Sequence, residues 1–187
     1  MTYGAILIDP PWAFRTFGGD NMTPHRSAED HYKTMKAHEI AGLPIPDLAA
    51  KSCVLFMWTV DSHLDESLDL MRFWGFKYKT IAFIWEKLKD NQRDLYDPPP
   101  CRIGMGYWTR KQAEICIMGT RGTPKRLSKG VRQIIQSPRR EHSRKPDETY
   151  SRIEALVEGP YLEMFARQKW NGWDGWGNET EKFKAAE

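Results

Sequence analysis

AILIDPPW, residues 5–12, runs four apolar residues into an acid, two prolines and a tryptophan. The apolar run predicts a strand of a parallel sheet that is buried on both faces. Because proline has no N–H and cannot continue a central ladder, this strand is predicted to end at Asp9. Ligands in open parallel sheets bind beyond the carboxyl ends of the strands. Asp9 and the residues that follow it are therefore expected at a ligand-binding edge.

The chemistry of these residues suits an aromatic amine. Asp before Pro commonly opens a turn, and for a bare Asp-Pro dipeptide that is the simpler interpretation. Here the Asp9 carboxylate and the Pro10 carbonyl provide two acceptors, neither Pro10 nor Pro11 has an N–H to occupy them, and Trp12 adds a flat apolar surface. This set fits the exocyclic NH₂ of a nucleobase stacked on indole. A methyl group held in line, about 3 to 3.5 Å away, would then react by direct displacement.

Length and composition indicate one globular domain over residues 1–187. Hydrophobic residues make up 40% of the chain and charged residues 28%, which argues against disorder. No apolar run is long enough to span a membrane and no signal-peptide pattern occurs, so we expect a cytoplasmic protein without a membrane partner. The three cysteines form no CxxC and the histidines no HExxH, so neither a disulfide framework nor a bound metal is expected.

Strands and helices are predicted to alternate. Further apolar runs resemble the first, at residues 53–58, 80–85, 114–118 and 161–165. One helix is predicted from Asp61 to Gly75, and a second from Pro146-Asp147 to Gly159-Pro160. This order indicates an α/β sheet with helices on its faces. Three long connections remain, 13–45, 86–112 and 119–146, and loops of that length are usually functional or disordered.

Basic and aromatic residues in these connections are candidates for nucleic-acid contacts. From Arg121 to Lys145 there are nine Lys or Arg and one acid. Such a run by itself favours a solvated, mobile loop, and this interpretation is compatible with a loop that lies along phosphates. Aromatic residues beside a cation occur in proteins that bind single strands or flipped bases, although Trp108 would suit a core position as well. The candidate contacts are His31, Tyr32, Tyr107, Trp108, Arg110, Lys125, Arg126, Arg139 and Arg140.

The chain resembles the N6-adenine methyltransferases related to the mRNA adenosine methyltransferase, of the compact bacterial or phage type. Besides DPPW, the stretches that carry the resemblance are HYKTM (31–35), VLFMWTVDSHL (54–64), GYWTRKQAEICIMGTRG (106–122), RKPDETYSRIE (144–154), LEMFAR (162–167) and GWDGWGNE (172–179). They follow the family's order over nearly the whole chain. The resemblance implies a single Rossmann-like methyltransferase domain with a mostly parallel twisted sheet, one antiparallel strand in the edge region and helices on both faces. It also implies a circularly permuted order, with the catalytic motif first and the cofactor motif last.

The resemblance assigns roles to individual residues. Asp9, Pro10, Pro11 and Trp12 match the catalytic motif, and the implied cofactor is S-adenosyl-L-methionine. Lys145 is implied to meet the cofactor's carboxylate, which agrees with a cation beside a helix N-terminus. The other implied cofactor residues are Ile8, Asp9, Glu163, Phe165, Arg167, Asn178 and Glu179. No GxGxxG follows a strand, and the family does not require one. The segment that caps the cofactor's adenine upstream of the first strand in larger relatives is expected to be absent, so adenine recognition is expected to fall to main chain near Ile8 or around Asn178.

The implied activity is methylation of the 6-amino group of adenine in nucleic acid, with DNA favoured over RNA. The protein is expected to be a monomer or homodimer. One alternative is a methyltransferase that acts on glutamine or a small amine, although such enzymes tend to carry Asn-Pro-Pro-Tyr-like motifs. The other is an inactive partner subunit that only binds nucleic acid. The intact motif at Asp9 and the basic run favour the first interpretation.

Overall fold

The computed structural model describes residues 1–12, 34–89, 101–104, 106, 108–141 and 143–183. Within these residues one sheet contains the strands β1 (Tyr3–Ile8), β2 (Ala49–Thr59), β3 (Lys77–Leu88), β4 (Ala113–Arg121), β5 (Ile134–Pro138), β6 (Tyr161–Met164) and β7 (Trp173–Trp176). The helices are α1 (Ala37–Ala41), α2 (Ile45–Leu48), α3 (Leu64–Phe73) and α4 (Glu148–Leu156), and a 3₁₀ turn at Asp61–His63 precedes α3. In the described ranges, no helix has both the length and the apolar character that a bilayer crossing requires.

The strand order is β5-β3-β4-β2-β1-β6-β7, which confirms the predicted α/β class. β4 pairs antiparallel with both β2 and β3, whereas the other pairs are parallel. Because of its direction, the first residues of β4 lie at the edge where the parallel strands end. A site at the carboxyl edge can therefore draw side chains from the end of β1 and from the start of β4.

Alternating residues of the central strands supply two cores, one on each face of the sheet. Ile6 and Ile8 of β1 point to the face that α1, α2 and α3 cover, and Ala5 and Leu7 point to the face that α4 covers. This is the two-residue period of a strand that is buried on both sides. The continuous apolar run in β1 follows from it, as the sequence predicted.

The five predicted strands and both predicted helices are present, with Gly75 at φ +82° just after α3. Four short elements were not predicted, namely α1, α2, β5 and β7. Strands and helices of four or five residues give too few periods to stand out from the polar residues around them. The most consequential of the four is β5, because it lies inside the connection that was predicted to be one loop.

The prediction of a single loop over 119–146 is wrong, since β5 divides the basic run in two. β4 ends with Arg121 paired to Cys53, at the amino edge of the parallel strands, and β5 ends with Pro138 paired to Leu88, at the carboxyl edge. The Leu127 N–H, which donates to the Leu156 carbonyl at the end of α4, ties the first half to the amino edge. β4 alone spans roughly 27 Å at the usual rise per residue. The two halves of the run therefore face opposite edges of the sheet.

Candidate active site

The DPPW segment forms a tight turn directly after β1. The Trp12 N–H donates to the Pro10 carbonyl at 2.9 Å, which closes a three-residue turn with Pro11 at its centre. Proline's φ near −65° is close to what the central residue of an inverse γ-turn requires. The Met35 N–H donates to the Pro11 carbonyl at 2.7 Å and holds the turn from outside. The Pro10 carbonyl is thus fixed in direction, and its oxygen keeps a second lone pair for another donor.

Trp12 lies in the core rather than at an open surface. Its side chain is 4% exposed, and its ring centroid is 4.9 Å from that of His63, which follows β2. The sequence predicted an open stacking surface at this position, and the structure instead uses the indole to anchor the turn. A contact between Trp12 and a target base therefore stays a prediction.

Asp9 belongs to a chain of four alternating charges. The Lys145 ammonium donates to Asp9 Oδ2 at 2.7 Å and lies 3.3 Å from Glu114 Oε2. The other oxygen of Glu114, Oε1, accepts from Lys87. Burial opposes the charged form of Lys145, but Asp9 and Glu114 outweigh it and raise the pKa of the ammonium. Burial likewise favours the neutral form of Glu114, yet Lys145 and Lys87 lower its pKa to about 2.

A pocket that is open to solvent and lined by charged and aromatic side chains lies beside this chain of charges. It brings together five of the predicted residues, from the end of β1, the start of α4 and the end of β6: Asp9, Lys145, Glu163, Phe165 and Arg167. The other lining residues are Trp58, Ser143, Arg144, Tyr150, Gln168 and Phe183.

Glu163 is a half-buried carboxylate whose charge is only partly compensated by its neighbours. Burial raises the pKa of Glu163 to about 7, and Asp9 adds to the rise, against the hydrogen bond from Tyr150 and the charges of Lys145 and Arg167. The Tyr150 hydroxyl reaches both oxygens of Glu163, at 3.0 and 2.9 Å. A group of this kind favours a cation as its neighbour, because a positive charge would stabilise its ionised form.

Behind the pocket, a hydrogen-bonded network supports Glu163. The Gln168 amide donates to the Tyr150 oxygen at 3.3 Å and to Asp147 at 3.0 Å. Arg140 holds the same Asp147 carboxylate with two hydrogen bonds of 2.6 Å and also donates to the Lys145 carbonyl at 3.0 Å. The network therefore fixes the start of α4, and with it the backbone of Lys145.

The end of β6 is constrained where it meets the pocket. Phe165 has φ +62°, an uncommon conformation for a residue with a Cβ, and such positions cluster at functional sites. Gly177 approaches this turn so closely that a Cβ there would lie 3.1 Å from the Phe165 Cα. Arg167 Nε lies 3.5 Å from Glu179 Oε2, which brings the two predicted cofactor segments together, whereas Asn178 is exposed. Ile8 is fully buried and does not line the pocket.

The sequence model of the MT-A70 family matches residues 3–179. The chain belongs to the MT-A70 family. It is 34% identical over 194 residues to the type II methyltransferase M.MunI of a Mycoplasma species, covering 95% of this chain and 77% of that protein. It is 28% identical over 168 residues to the human N(6)-adenosine-methyltransferase catalytic subunit METTL3, covering 88% of this chain and 26% of that protein. An Arabidopsis thaliana N(6)-adenosine-methyltransferase MT-A70-like protein is 29% identical over 177 residues, covering 94% of this chain and 23% of that protein.

Membership of the MT-A70 family confirms the resemblance inferred from DPPW and makes this chain a methyltransferase. The chain spans most of the bacterial relative but only about a quarter of the N(6)-adenosine-methyltransferases. The likeness to the longer proteins is therefore a likeness to one part of each.

The structure of this MT-A70 chain separates the predicted nucleic-acid contacts into groups. Trp108 is 95% exposed beside Arg110, on a hairpin closed by Gly104 and Lys111, which excludes the core position that the sequence left open. Arg139 is exposed at the carboxyl edge, whereas the Arg140 guanidinium is held by Asp147. Two further candidates, Lys125 and Arg126, lie at the opposite edge with the Leu127 backbone. The candidates His31, Tyr32 and Tyr107 lie outside the described residues.

Sequence reasoning missed several residues around the MT-A70 motif. Glu114 is the clearest, because an acid at the first position of a predicted buried strand is itself a signal. Lys87 gave none, since it lies in a stretch that was predicted to be loop. Tyr150 was predicted only as part of a helix face, and Gln168 is 4% exposed in a segment with no regular period. Their roles depend on contacts between elements that are distant in the chain.

Proposed function

We propose that this MT-A70 protein transfers a methyl group from S-adenosyl-L-methionine to the 6-amino group of adenine in nucleic acid, with DNA as the substrate in preference to RNA. The observation that carries the proposal is the turn after β1. The Asp9 carboxylate lies at the carboxyl edge, in the lining of a pocket with both charges, and the Pro10 carbonyl follows it in the same turn. Two fixed acceptors match the two hydrogens of an exocyclic amine.

The charges of the pocket fit those of S-adenosyl-L-methionine, which carries a carboxylate, an ammonium and a sulfonium. Lys145, at the start of α4, and Arg167 would hold the carboxylate. Glu163 would face a cationic group, which is the neighbour that its raised pKa favours. Trp58 and Phe165 add apolar surface. When bound, the cofactor supplies an electrophilic methyl group on a positively charged sulfur.

The protein's own groups act on the amine. A nucleobase amine is a weak nucleophile because its lone pair is delocalised into the ring. Hydrogen bonds to Asp9 and Pro10 orient both N–H bonds and favour a pyramidal nitrogen, whose lone pair then points away from the two acceptors. The nitrogen that gains a methyl group must release one proton, which the Asp9 carboxylate would accept and pass on to water.

Two features support a polynucleotide as the carrier of the adenine. Trp108 offers a fully exposed aromatic surface on a hairpin, with Arg110 two residues away, and base–aromatic stacking is a general means of holding an unpaired base. Arg139 places a further cation at the same edge as Asp9. The preference for DNA is supported by the share of each relative that aligns with this chain. The alignment covers 77% of the type II methyltransferase M.MunI but only 26% of METTL3.

The test is expression in a host that lacks adenine methylation, followed by sequencing that detects methyladenine in DNA and by mass spectrometry of nucleosides from RNA. Wild type should leave N6-methyladenine in DNA, and Asp9→Ala, which removes the carboxylate acceptor, should leave none. Methyladenine in RNA alone would overturn the DNA preference. Methyl transfer from purified protein to glutamine or small amines, with none to either nucleic acid, would contradict the proposal as a whole.

A further inference from the structure

Lys145 lies between two carboxylates that come from different strands. Its ammonium is 2.7 Å from Asp9 Oδ2, at the end of β1, and 3.3 Å from Glu114 Oε2, at the start of the antiparallel β4. Glu114 is in turn held by Lys87 of β3 through its other oxygen. The side chains of Lys145, Glu114 and Lys87 are 17%, 19% and 21% exposed, so solvent screens this chain of charges only weakly.

We propose that Glu114 is a positioning residue for methyl transfer: it draws the Lys145 ammonium to one side of Asp9, so that Oδ2 is occupied and Oδ1 stays open to the target amine. The inference rests on the proposed function, and it deepens that function by assigning a role to a residue outside the DPPW motif. Lys87 completes the arrangement, because it anchors Glu114 from the side away from Lys145.

The geometry gives the physical reason. An ammonium has three donors and no fixed plane, so beside a single carboxylate it can swing between or bridge both oxygens. A second carboxylate on the opposite side restricts the ammonium to a position between the two. In the described part of the chain, Oδ2 of Asp9 accepts from Lys145, whereas Oδ1 has no hydrogen-bond partner. Asp9 is 28% exposed, so a ligand can reach it.

Glu114 also keeps Lys145 charged. Without it, burial would act against the ammonium with only Asp9 in direct opposition, and the pKa of Lys145 would fall. Four other groups face Lys145 or Glu114. Glu163 on β6 and Cys116 on β4 lie near Lys145, whose Nζ is 5.6 Å from the centroid of the Trp58 ring on β2. Lys111 acts on Glu114 and also pairs with Asp61 at 3.4 Å. None of them is placed to replace the Glu114 carboxylate between Lys145 and Lys87.

The test compares Glu114→Gln with Glu86→Gln. Glu86 is a matched control on the adjacent strand, since its carboxylate accepts from Cys101 and Gln136 and does not join the chain of charges. Glu114→Gln should lower kcat on an adenine-containing oligonucleotide about 10- to 100-fold with a smaller change in KM. Activity of the variant should fall as pH rises through the lowered pKa of Lys145, a limb that wild type and Glu86→Gln lack. Equal kcat and equal pH profiles would overturn the inference.

Two further measurements keep the inference testable. Glu114→Gln leaves Lys87 without its partner. The double variant with Lys87→Gln therefore separates the loss of positioning from the effect of an uncompensated charge on Lys87. The double variant should remain slow, and full recovery of kcat would contradict the positioning role.

Competitive acetylation of lysines, measured by mass spectrometry as a function of pH, reports on Lys145 in the absence of substrate. Lys145 should react at lower pH in Glu114→Gln than in wild type, and an unchanged profile would overturn the inference even if wild type proved inactive on adenine.

Discussion

Replacing Glu163 by glutamine is expected to remove a pH dependence from cofactor binding. In the cofactor-free pocket the pKa of Glu163 is about 7, because burial penalises its charge and Asp9 adds to the rise. A cationic ligand group binds the ionised form, so affinity should increase as pH rises through this value. Between pH 6 and 8 the ionised fraction goes from roughly 9% to roughly 91%, which tightens Kd about 10-fold, or about 1.4 kcal/mol.

The assay is titration calorimetry of S-adenosyl-L-methionine at pH 6, 7 and 8 with wild type and Glu163→Gln. The ligand's own amino group also titrates near this range. The ratio of the two Kd values at each pH cancels that contribution, and it should change about 10-fold in favour of wild type as the pH rises. Glutamine still offers an acceptor to the Tyr150 hydroxyl, so the pocket should keep its shape. A ratio that does not vary with pH would refute the placement of Glu163 against a cation.

The same residue links pH to the stability of the cofactor-free protein. The folded-state pKa of Glu163 lies above its ordinary value, so the favourable contribution of its protonated form is present below about pH 4.5 and is lost as pH rises through about 7. Glu163→Gln should therefore raise Tm relative to wild type at pH 8 and change it little at pH 5. A variant that is less stable than wild type at pH 8 would contradict the conclusion that the charge of ionised Glu163 is under-compensated.

Three further changes test the placement of the surrounding residues. Trp108→Ala should weaken oligonucleotide binding, measured by fluorescence anisotropy, by about 1–3 kcal/mol, because a base loses its stacking partner. Tm should not change, because the Trp108 side chain is 95% exposed. An unaltered affinity would mean that Trp108 does not belong to the interface. Asp147→Ala should lower the free energy of unfolding in urea by about 1.5–3 kcal/mol, because it removes both hydrogen bonds that Arg140 donates to this carboxylate. An unchanged free energy of unfolding would mean that the network does not stabilise the fold. Arg139→Ala should reduce the slope of log K for nucleic-acid binding against log salt concentration by about 0.9. Lys125→Ala, at the opposite edge of the sheet, should leave this slope unchanged. Equal effects of the two substitutions would contradict the division of the basic run by β5.

The sequence alone determined the parts of this protein that depend on local pattern. An uninterrupted apolar run is typical of a strand that is buried on both faces, so Ala5 to Ile8 were expected inside a sheet. Two prolines end such a strand in any context, which placed Asp9 at its carboxyl end on local grounds alone. The order of the motifs along the chain then identified the family, and five of the predicted cofactor residues do line one pocket.

Only the tertiary structure decided which charges meet and which surfaces stay open. The distance from Lys145 to Glu114 depends on β4 running antiparallel, and strand direction cannot be deduced from an apolar run, because both directions bury the same residues. The short strand β5 brings Arg139 to the carboxyl edge of the sheet, whereas Lys125 stays at the amino edge, although both lie in one basic stretch of sequence. Trp12 and Trp108 are the same residue type, yet one is 4% and the other 95% exposed. Exposure is set by what packs across from a side chain, and that neighbour is distant in the sequence.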